Sequence, residues 1–180
     1  MSKKLQNIND DSWKQIPCGT ADRKWIVYDY LPNLEGKILY VGVNYYTGHY
    51  CNRTKSPKLF ETLDVCPERS AEGASPHGHH LMLFQDLNPD IHKYDHISLH
   101  GLHGFEGHKI NNDAYNILAD LKHADSLLNP GGTLQWGPNY LLDKFDVFIE
   151  VALNLTPLRF YETIKMEYMN NFIYWGRKNA

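Results

Sequence analysis

The sequence has little cysteine, no extended apolar run and no basic cluster, and each absence excludes a class of protein. Its three cysteines, Cys18, Cys51 and Cys66, are odd in number and show no C-x-x-C spacing, which argues against a disulfide framework and against a thiolate zinc site. No segment approaches the ~20 apolar residues of a membrane span, and the first residues contain no apolar signal core. We therefore expect a reduced, cytoplasmic setting.

Charge and length narrow the class further. The 180 residues carry a formal net charge of −3, with 42% hydrophobic and 22% charged residues, which is ordinary for a globular domain. Since no stripe of lysine and arginine stands out, there is no clear nucleic-acid signal. The length suits one compact domain, which we place at residues 36–180, after a cap or lid segment at residues 1–35.

The stretch GKILYVGVNYYTGHY, Gly36 to Tyr50, is the most informative part of the sequence. Ile38–Val43 is an unbroken apolar run, which predicts a strand buried on both faces of a parallel sheet. Residues that tolerate positive φ or cap helices follow it, namely Gly42, Asn44, Thr47 and Gly48. Such a loop brings backbone N–H groups towards a ligand at the carboxyl edge of the sheet.

The rest of the sequence alternates between strand-like runs and helical patterns. Further strands are predicted at Leu59–Asp64, His80–Gln85, His96–Leu99 and Thr133–Trp136, and helices within Tyr45–Pro57, from Pro67, at Asn112–Asn129 and after Asn139. The stretch Leu158–Trp175 predicts a hairpin. Alternation of this kind implies a parallel sheet. The expected fold class is α/β: a doubly wound, mostly parallel seven-stranded sheet with a C-terminal antiparallel hairpin.

This order resembles the class I S-adenosylmethionine-dependent methyltransferases over roughly residues 36 to 176. ILYVGVNYYTG looks like their first glycine loop, and LDVCPE looks like the end of their second strand. FQDL is similar to the element after their third strand whose Asp meets the adenine amino group. LLNPGGTLQWG is close to their helix–PGG–strand five signature. The resemblance implies a Rossmann-like fold and S-adenosylmethionine as the cofactor.

The resemblance also implies which residues bind the cofactor. They are Tyr40, Gly42, Asn44, Tyr46, Thr47, Gly48, Asp64, Val65, Asp86, Leu87 and His100. Asp64 lies about 20 residues past the glycine turn, where nucleotide-binding α/β proteins place the acid that accepts the ribose hydroxyls. Its alternative role is a helix-capping carboxylate. Asp86 would meet the adenine amino group, unless it only shapes a turn.

Ten histidines raise the questions of a metal and of a catalytic base. His77, His79 and His80 match no zinc-ligand spacing, so no metal site is predicted. His100 and His103 follow the fourth strand, where an imidazole with a pKa near 6.5 suits a base. The alternative for both is a role in bracing the loop.

Methyl transfer from a sulfonium is an in-line displacement, so the protein mainly aligns donor and acceptor. The residues expected around the methyl group are mostly aromatic: Tyr45, Tyr46, His100, His103, Phe105, Trp136 and Tyr140. Such a rim favours a small or partly apolar acceptor. We therefore expect a methyltransferase with a small-molecule partner, and a homodimer stays open.

Two other functions stay open. The glycine loop departs from the usual G-x-G-x-G because Tyr45 and Tyr46 follow Asn44, and Tyr40 replaces the acid usual in the first strand. These departures fit a degenerate relative that binds the cofactor or partners without catalysis. A nicotinamide-dependent oxidoreductase is disfavoured, because the glycine fingerprint fails and no second domain remains for a substrate.

Overall fold

The computed structural model describes residues 30–43, 47–100, 114–137, 145–165 and 172–180. The strands are β1 (Ile38–Val41), β2 (Phe60–Asp64), β3 (His79–Leu81), β4 (Tyr94–His100), β5 (Leu128–Gly137), β6 (Arg159–Lys165) and β7 (Phe172–Arg177). The α-helices are α1 (Pro67–Gly73), α2 (Ala114–Leu127) and α3 (Phe145–Leu155), and 3₁₀ helices lie at Leu31–Asn33, Thr47–Arg53, Pro57–Leu59 and Phe84–Asp86.

The strands form a seven-stranded sheet in the order β3-β2-β1-β4-β5-β7-β6. The pairs β1–β2, β2–β3 and β4–β5 are parallel, whereas β7 is antiparallel to both β5 and β6. The expected fold class is thereby confirmed: an α/β, mostly parallel sheet that ends in an antiparallel hairpin. The chain divides into two compact units, Met1–Leu83 and Phe84–Ala180, and each is described by itself.

The core of the first unit is aromatic. It contains Leu31, Ile38, Tyr40, Tyr50, Cys51 and Phe60, all of them buried. The ring of Tyr40 meets Tyr50 edge-on, with centroids 5.8 Å apart, and lies 6.3 Å from the ring of Phe60. Such ring pairs contribute about 0.5–1.5 kcal/mol beyond their buried area. Tyr40 therefore has a structural role in the core of this unit.

The 3₁₀ helix Thr47–Arg53 packs tightly against the end of α1. A Cβ atom at Gly48 would collide with the carbonyl oxygen of Ala74 and would lie 2.8 Å from its carbonyl carbon. The backbone of Ala74 is held in turn, because its N–H donates to the carbonyl oxygen of Ser70 at 3.1 Å. Only glycine fits at this position. The predicted short helix in this stretch is present as a 3₁₀ helix.

Strand β5 is longer than predicted, and Pro130-Gly131-Gly132 lies inside it. Its register with β4 jumps from Tyr94–Leu128 to His96–Thr133, which leaves the Pro-Gly-Gly segment as a bulge. Gly131 has φ 77°, a conformation that glycine adopts at little cost. The prediction that this segment ends α2 was therefore wrong, since α2 ends at Leu127 and the strand begins at once.

The core of the second unit includes aromatic side chains of the antiparallel strands. Trp136 is fully buried, with its ring centroid 5.4 Å from that of Tyr174 and 6.2 Å from that of Phe160. This packing against rings of β6 and β7 gives Trp136 a structural role in the core, and its place beside an acceptor pocket stays a prediction. An indole at a buried sheet position gains more from burial than from exposure at a loop.

Strand β3 is shorter than the predicted His80–Gln85. It covers His79–Leu81, and Phe84–Asp86 forms a 3₁₀ turn instead. The turn is closed by the N–H of Leu87, which donates to the carbonyl oxygen of Phe84 at 3.2 Å. Residues 1–29, on which most of the predicted cap lies, are outside the described residues, and the division into a cap and one domain stays a prediction. Within the described part of the chain, no helix is both long and apolar enough to cross a membrane.

Candidate functional site

The candidate site of the first unit begins where β1 ends. Gly42 has φ 84°, and its N–H still donates to the carbonyl oxygen of Leu63 in β2 at 2.9 Å. The next N–H, that of Val43, turns towards the side chain of Asp64 and donates to its Oδ2 at 2.9 Å. A left-handed residue changes the direction of the chain at this point. The glycine turn is thereby fastened to the end of the second strand.

Asp64 is the centre of this arrangement. Its side chain is only 4% exposed, yet both carboxylate oxygens have donors. Oδ1 accepts from the N–H of Cys66 at 2.8 Å and from Nη2 of Arg69 at 3.0 Å. Oδ2 accepts from Nε of Arg69 at 3.3 Å, in addition to Val43. The Arg69 guanidinium therefore contacts both oxygens, a geometry that suits a planar carboxylate.

These donors keep the carboxylate ionised. Burial alone would raise the pKa of Asp64, but the hydrogen bonds from Arg69, Val43 and Cys66 outweigh it and hold the pKa below its ordinary value. The same contact raises the pKa of Arg69. A buried carboxylate in this state is a strong acceptor for hydroxyl groups.

Helix α1 brings Arg69 back towards Asp64. The helix starts with Pro67 at its first turn, and Cys66 is the N-cap residue, as expected because proline lacks an N–H that the first turn leaves unpaired anyway. Ser70 fixes this start through its Oγ and N–H, which donate to the carbonyl oxygen of Cys66 at 2.7 and 3.0 Å. Arg69 is thus on the first turn, within reach of the preceding strand end. Asp64 also accepts from the N–H of Cys66, the residue that precedes the helix, so its alternative as a helix-capping carboxylate stays open.

The other predicted cofactor residues of the first unit lie in different environments. Thr47 and Gly48 are buried, Val65 is exposed, and Tyr40 lies in the core. Asn44 and Tyr46 are outside the described residues. The structure therefore brings together Gly42, through its turn, and Asp64, while the remaining assignments stay predictions.

In the second unit, the predicted residues lie at a 3₁₀ turn and at the end of β4. Asp86 closes the 3₁₀ turn and is exposed, whereas Leu87 after it is buried. The neighbouring Gln85 fixes this turn to α2, because its Nε2 donates to Oδ1 of the buried Asp120 at 2.7 Å. His100 is the last residue of β4. Nothing is described of its side chain, and His103 falls outside the described residues.

Two histidines of the first unit have partners in the neighbouring strand. Nδ1 of His79 lies 2.8 Å from Oγ1 of Thr62, and Nε2 of His80 lies 2.9 Å from Oε2 of Glu61. Lys37 also contacts Glu61, with 3.0 Å between Nζ and Oε1. Burial, and then the charge of His80, lower the pKa of His79. These two histidines belong to β3 rather than to a loop, and the absence of a metal stays a prediction.

Comparison with known proteins finds similar solved structures but no match by sequence. No protein-family model matches the sequence, and no curated protein matches it. The N-methyltransferase NodS from Bradyrhizobium japonicum WM9, solved in complex with S-adenosyl-L-homocysteine, superposes with a TM-score of 0.70 over 96% of this chain and 94% of that chain, at 15% identity. The chain has the class I methyltransferase fold.

Other class I methyltransferase structures agree. A SAM-dependent methyltransferase from Bacteroides fragilis, in complex with S-adenosyl-L-homocysteine, has a TM-score of 0.61 over 93% of this chain and 79% of that chain, at 15% identity. A TehB-like SAM-dependent methyltransferase from Corynebacterium glutamicum has a TM-score of 0.56 over 80% of both chains, also at 15% identity. The likeness concerns the fold.

Within the methyltransferase fold, sequence reasoning missed Arg69. The signal was present, because Pro67 marks the start of a helix and places Arg69 on its first turn, a few residues after Asp64. A helix that starts right after a strand can turn such a cation back towards an acid at the strand end, but the sequence does not show whether it does. The composition alone does not reveal which of the exposed cations makes this contact.

Proposed function

We propose that this chain binds S-adenosylmethionine at the carboxyl end of the sheet and transfers the methyl group to a small or partly apolar acceptor. The observation that carries the proposal is the buried, ionised Asp64 carboxylate, which is joined to the glycine turn after β1 through the Val43 N–H at 2.9 Å. The fold adds support, because neighbours with this fold are methyltransferases, among them structures in complex with S-adenosyl-L-homocysteine. A cytoplasmic location and a small-molecule partner belong to the same proposal.

The residues fit the cofactor by their chemistry. Asp64 offers acceptors for the ribose hydroxyls, and the turn at Gly42 has no side chain to obstruct an approaching ligand. In the second unit, Asp86 keeps the adenine contact that the resemblance implies, and His100 keeps the role of base that its place at the end of β4 suggests. When bound, the cofactor supplies a methyl group on a sulfonium, which already carries its leaving group. The protein then contributes mainly alignment, an effect of ~7–11 kcal/mol in favourable cases.

Isothermal titration with S-adenosyl-L-homocysteine tests the cofactor. We expect micromolar binding to the wild-type chain and weaker binding to Asp64→Ala, since a hydrogen bond to a charged acceptor is worth about 1.5–3 kcal/mol. Lys58→Gln, which changes an exposed charge of the same unit, is the control and should bind normally. Normal affinity in a folded Asp64→Ala variant would assign Asp64 to the helix start alone.

The acceptor side needs a separate test. His100→Ala should reduce methyl transfer far more than it reduces cofactor affinity, as expected for a group that acts on the reacting centre. A panel of small aromatic and aliphatic amines, hydroxyls and thiols, with radiolabelled S-adenosylmethionine, would define the acceptor class. Equal losses in transfer and in cofactor affinity would contradict a role for His100 as base.

A degenerate relative is the second candidate function. The contact that favours it is that of Arg69, which occupies both oxygens of the carboxylate that the cofactor would need. If Arg69 never leaves the Asp64 oxygens, the protein keeps this fold but does not bind the cofactor. The absence of both heat and thermal shift at millimolar S-adenosyl-L-homocysteine would favour this second function.

A further inference from the structure

We propose that Arg69 is a latch on the cofactor site: it holds the Asp64 oxygens in the ligand-free protein and must be displaced by a ribose diol. This inference rests on the proposed function, because it takes Asp64 as the acceptor of the ribose hydroxyls. It adds a competing group within the chain itself, one that opposes the binding of any ligand whose diol must take the Asp64 oxygens.

The first step is a count of acceptor positions. A carboxylate offers about four lone-pair sites, and four donors approach Asp64. Two are backbone N–H groups, those of Val43 and Cys66, and two are the Nε and Nη2 atoms of Arg69. No site is left for a pair of hydroxyl donors. A diol can therefore bind only after two of the present donors have left.

The second step identifies the donors that can leave. The Val43 N–H is part of the turn that Gly42 anchors on β2, and Cys66 is held as the N-cap residue by Ser70. Breaking either bond would disturb the fold. The Arg69 side chain is 50% exposed, against 4% for Asp64, so water can solvate the guanidinium when it swings out. Arg69 is therefore the donor whose release disturbs the fold least.

The third step gives the size of the effect. An ion pair with one partner in solvent is worth about 0.2–1 kcal/mol, and the energy of this contact is lost when the diol binds. Removing Arg69 should therefore tighten diol binding by about 1.4- to fivefold. A ligand that does not use the Asp64 oxygens as hydrogen-bond acceptors should bind without displacing Arg69. Its affinity should therefore not change when Arg69 is removed.

The experiment compares ligands with and without the diol. Isothermal titration would measure S-adenosyl-L-homocysteine, adenosine and 2′,3′-dideoxyadenosine against the full wild-type chain, Arg69→Gln, Arg69→Lys and the charge control Lys58→Gln. We expect Arg69→Gln to bind the two diol ligands about 1.4- to fivefold tighter, with no change for the dideoxy ligand. Arg69→Lys should fall in between, because an ammonium cannot bridge both oxygens. Lys58→Gln should match the wild type.

Salt provides a check that needs no variant. At about 1 M NaCl the screening length falls to roughly 3 Å, which weakens a half-exposed ion pair. The ratio of dideoxyadenosine Kd to adenosine Kd should rise with salt in the wild type and stay constant in Arg69→Gln. A merely structural role for Arg69 would not produce this ligand-dependent response.

Three results would overturn the latch, and one of them would overturn the proposed function as well. Weaker diol binding by Arg69→Gln would make Arg69 a ligand contact and overturn the latch. Unchanged binding of all ligands by Arg69→Gln, with micromolar S-adenosyl-L-homocysteine affinity throughout, would overturn the latch and leave the proposed function standing. If no variant and no salt concentration gives binding of S-adenosyl-L-homocysteine, the proposed function and the latch both fail.

Discussion

Replacing Gly48 with alanine tests whether this glycine is required by packing. The new Cβ would collide with the carbonyl oxygen of Ala74, whose position is fixed by its bond to Ser70. A collision with backbone in a tight site costs about 3 kcal/mol, the upper part of the usual range for overpacking. Stiffening of the unfolded chain by alanine returns about 0.4–1 kcal/mol. The net loss should be about 2 kcal/mol, or a Tm lower by about 4–8 °C.

Urea denaturation of Gly48→Ala, followed by circular dichroism, measures this loss. Gly78→Ala is the matched control in the same unit, because its Cβ would meet a side chain, Cγ of Glu61 at 2.9 Å, and not backbone. We expect the control to lose clearly less stability. A free energy of unfolding for Gly48→Ala within about 0.5 kcal/mol of wild type, the usual range for neutral surface changes, would refute the packing argument. Gly48 would then be explained better by the predicted cofactor contact.

Three further predictions concern acid sensitivity and the core. The lowered pKa of Asp64 means that its contribution to stability is complete above the unfolded pKa of about 3.9 and is lost as the pH falls through the lower folded value. Asp64→Asn should therefore differ from wild type in denaturant midpoint more at neutral pH than near about pH 3, and a pH-independent difference would contradict this. His79 also has a lowered pKa, so its contribution is complete above about pH 6.5 and is lost as the pH falls through the folded value. His79→Gln should show a shallower decline of the midpoint on acidification, and parallel declines would count against it. Trp136→Ala should lose about 3–5 kcal/mol of unfolding free energy and Trp136→Phe much less; equal losses would show that the ring does not fill the space.

The strand positions were predictable from apolar runs, but their ends were not. The first run continues through Val43, yet β1 ends at Val41 because Gly42 takes a positive φ and redirects the chain. The third run continues to Gln85, yet the chain turns at Phe84, whose ring meets His123 edge-on at 5.0 Å. Hydrophobicity predicts burial, and it does not state whether a residue is buried in a strand or in a turn.

The candidate site was predictable as far as spacing determines it. Asp64 follows from its distance to the glycine turn, and its place at the end of β2 agrees with that expectation. Arg69 does not follow, because its contact depends on where the first turn of α1 points, which the structure alone shows. The bulge at Pro130-Gly131-Gly132 is similar: a segment rich in helix breakers fits a strand bulge as well as a helix end.

Strand β7 follows β6 in the sequence but lies between β5 and β6 in the sheet. During synthesis at roughly 5–20 residues per second, β5 therefore leaves the ribosome with one edge bare, and β6 has no neighbour to join. Phe172–Arg177 supplies the hydrogen bonds to both strands, since it pairs antiparallel with β5 on one side and with β6 on the other. Until then the nascent chain exposes an open strand edge, the kind of surface that chaperones cover and that other chains can add to. The sheet of this unit is thus complete only when the last of its strands in the sequence has paired, because β7 lies between β5 and β6.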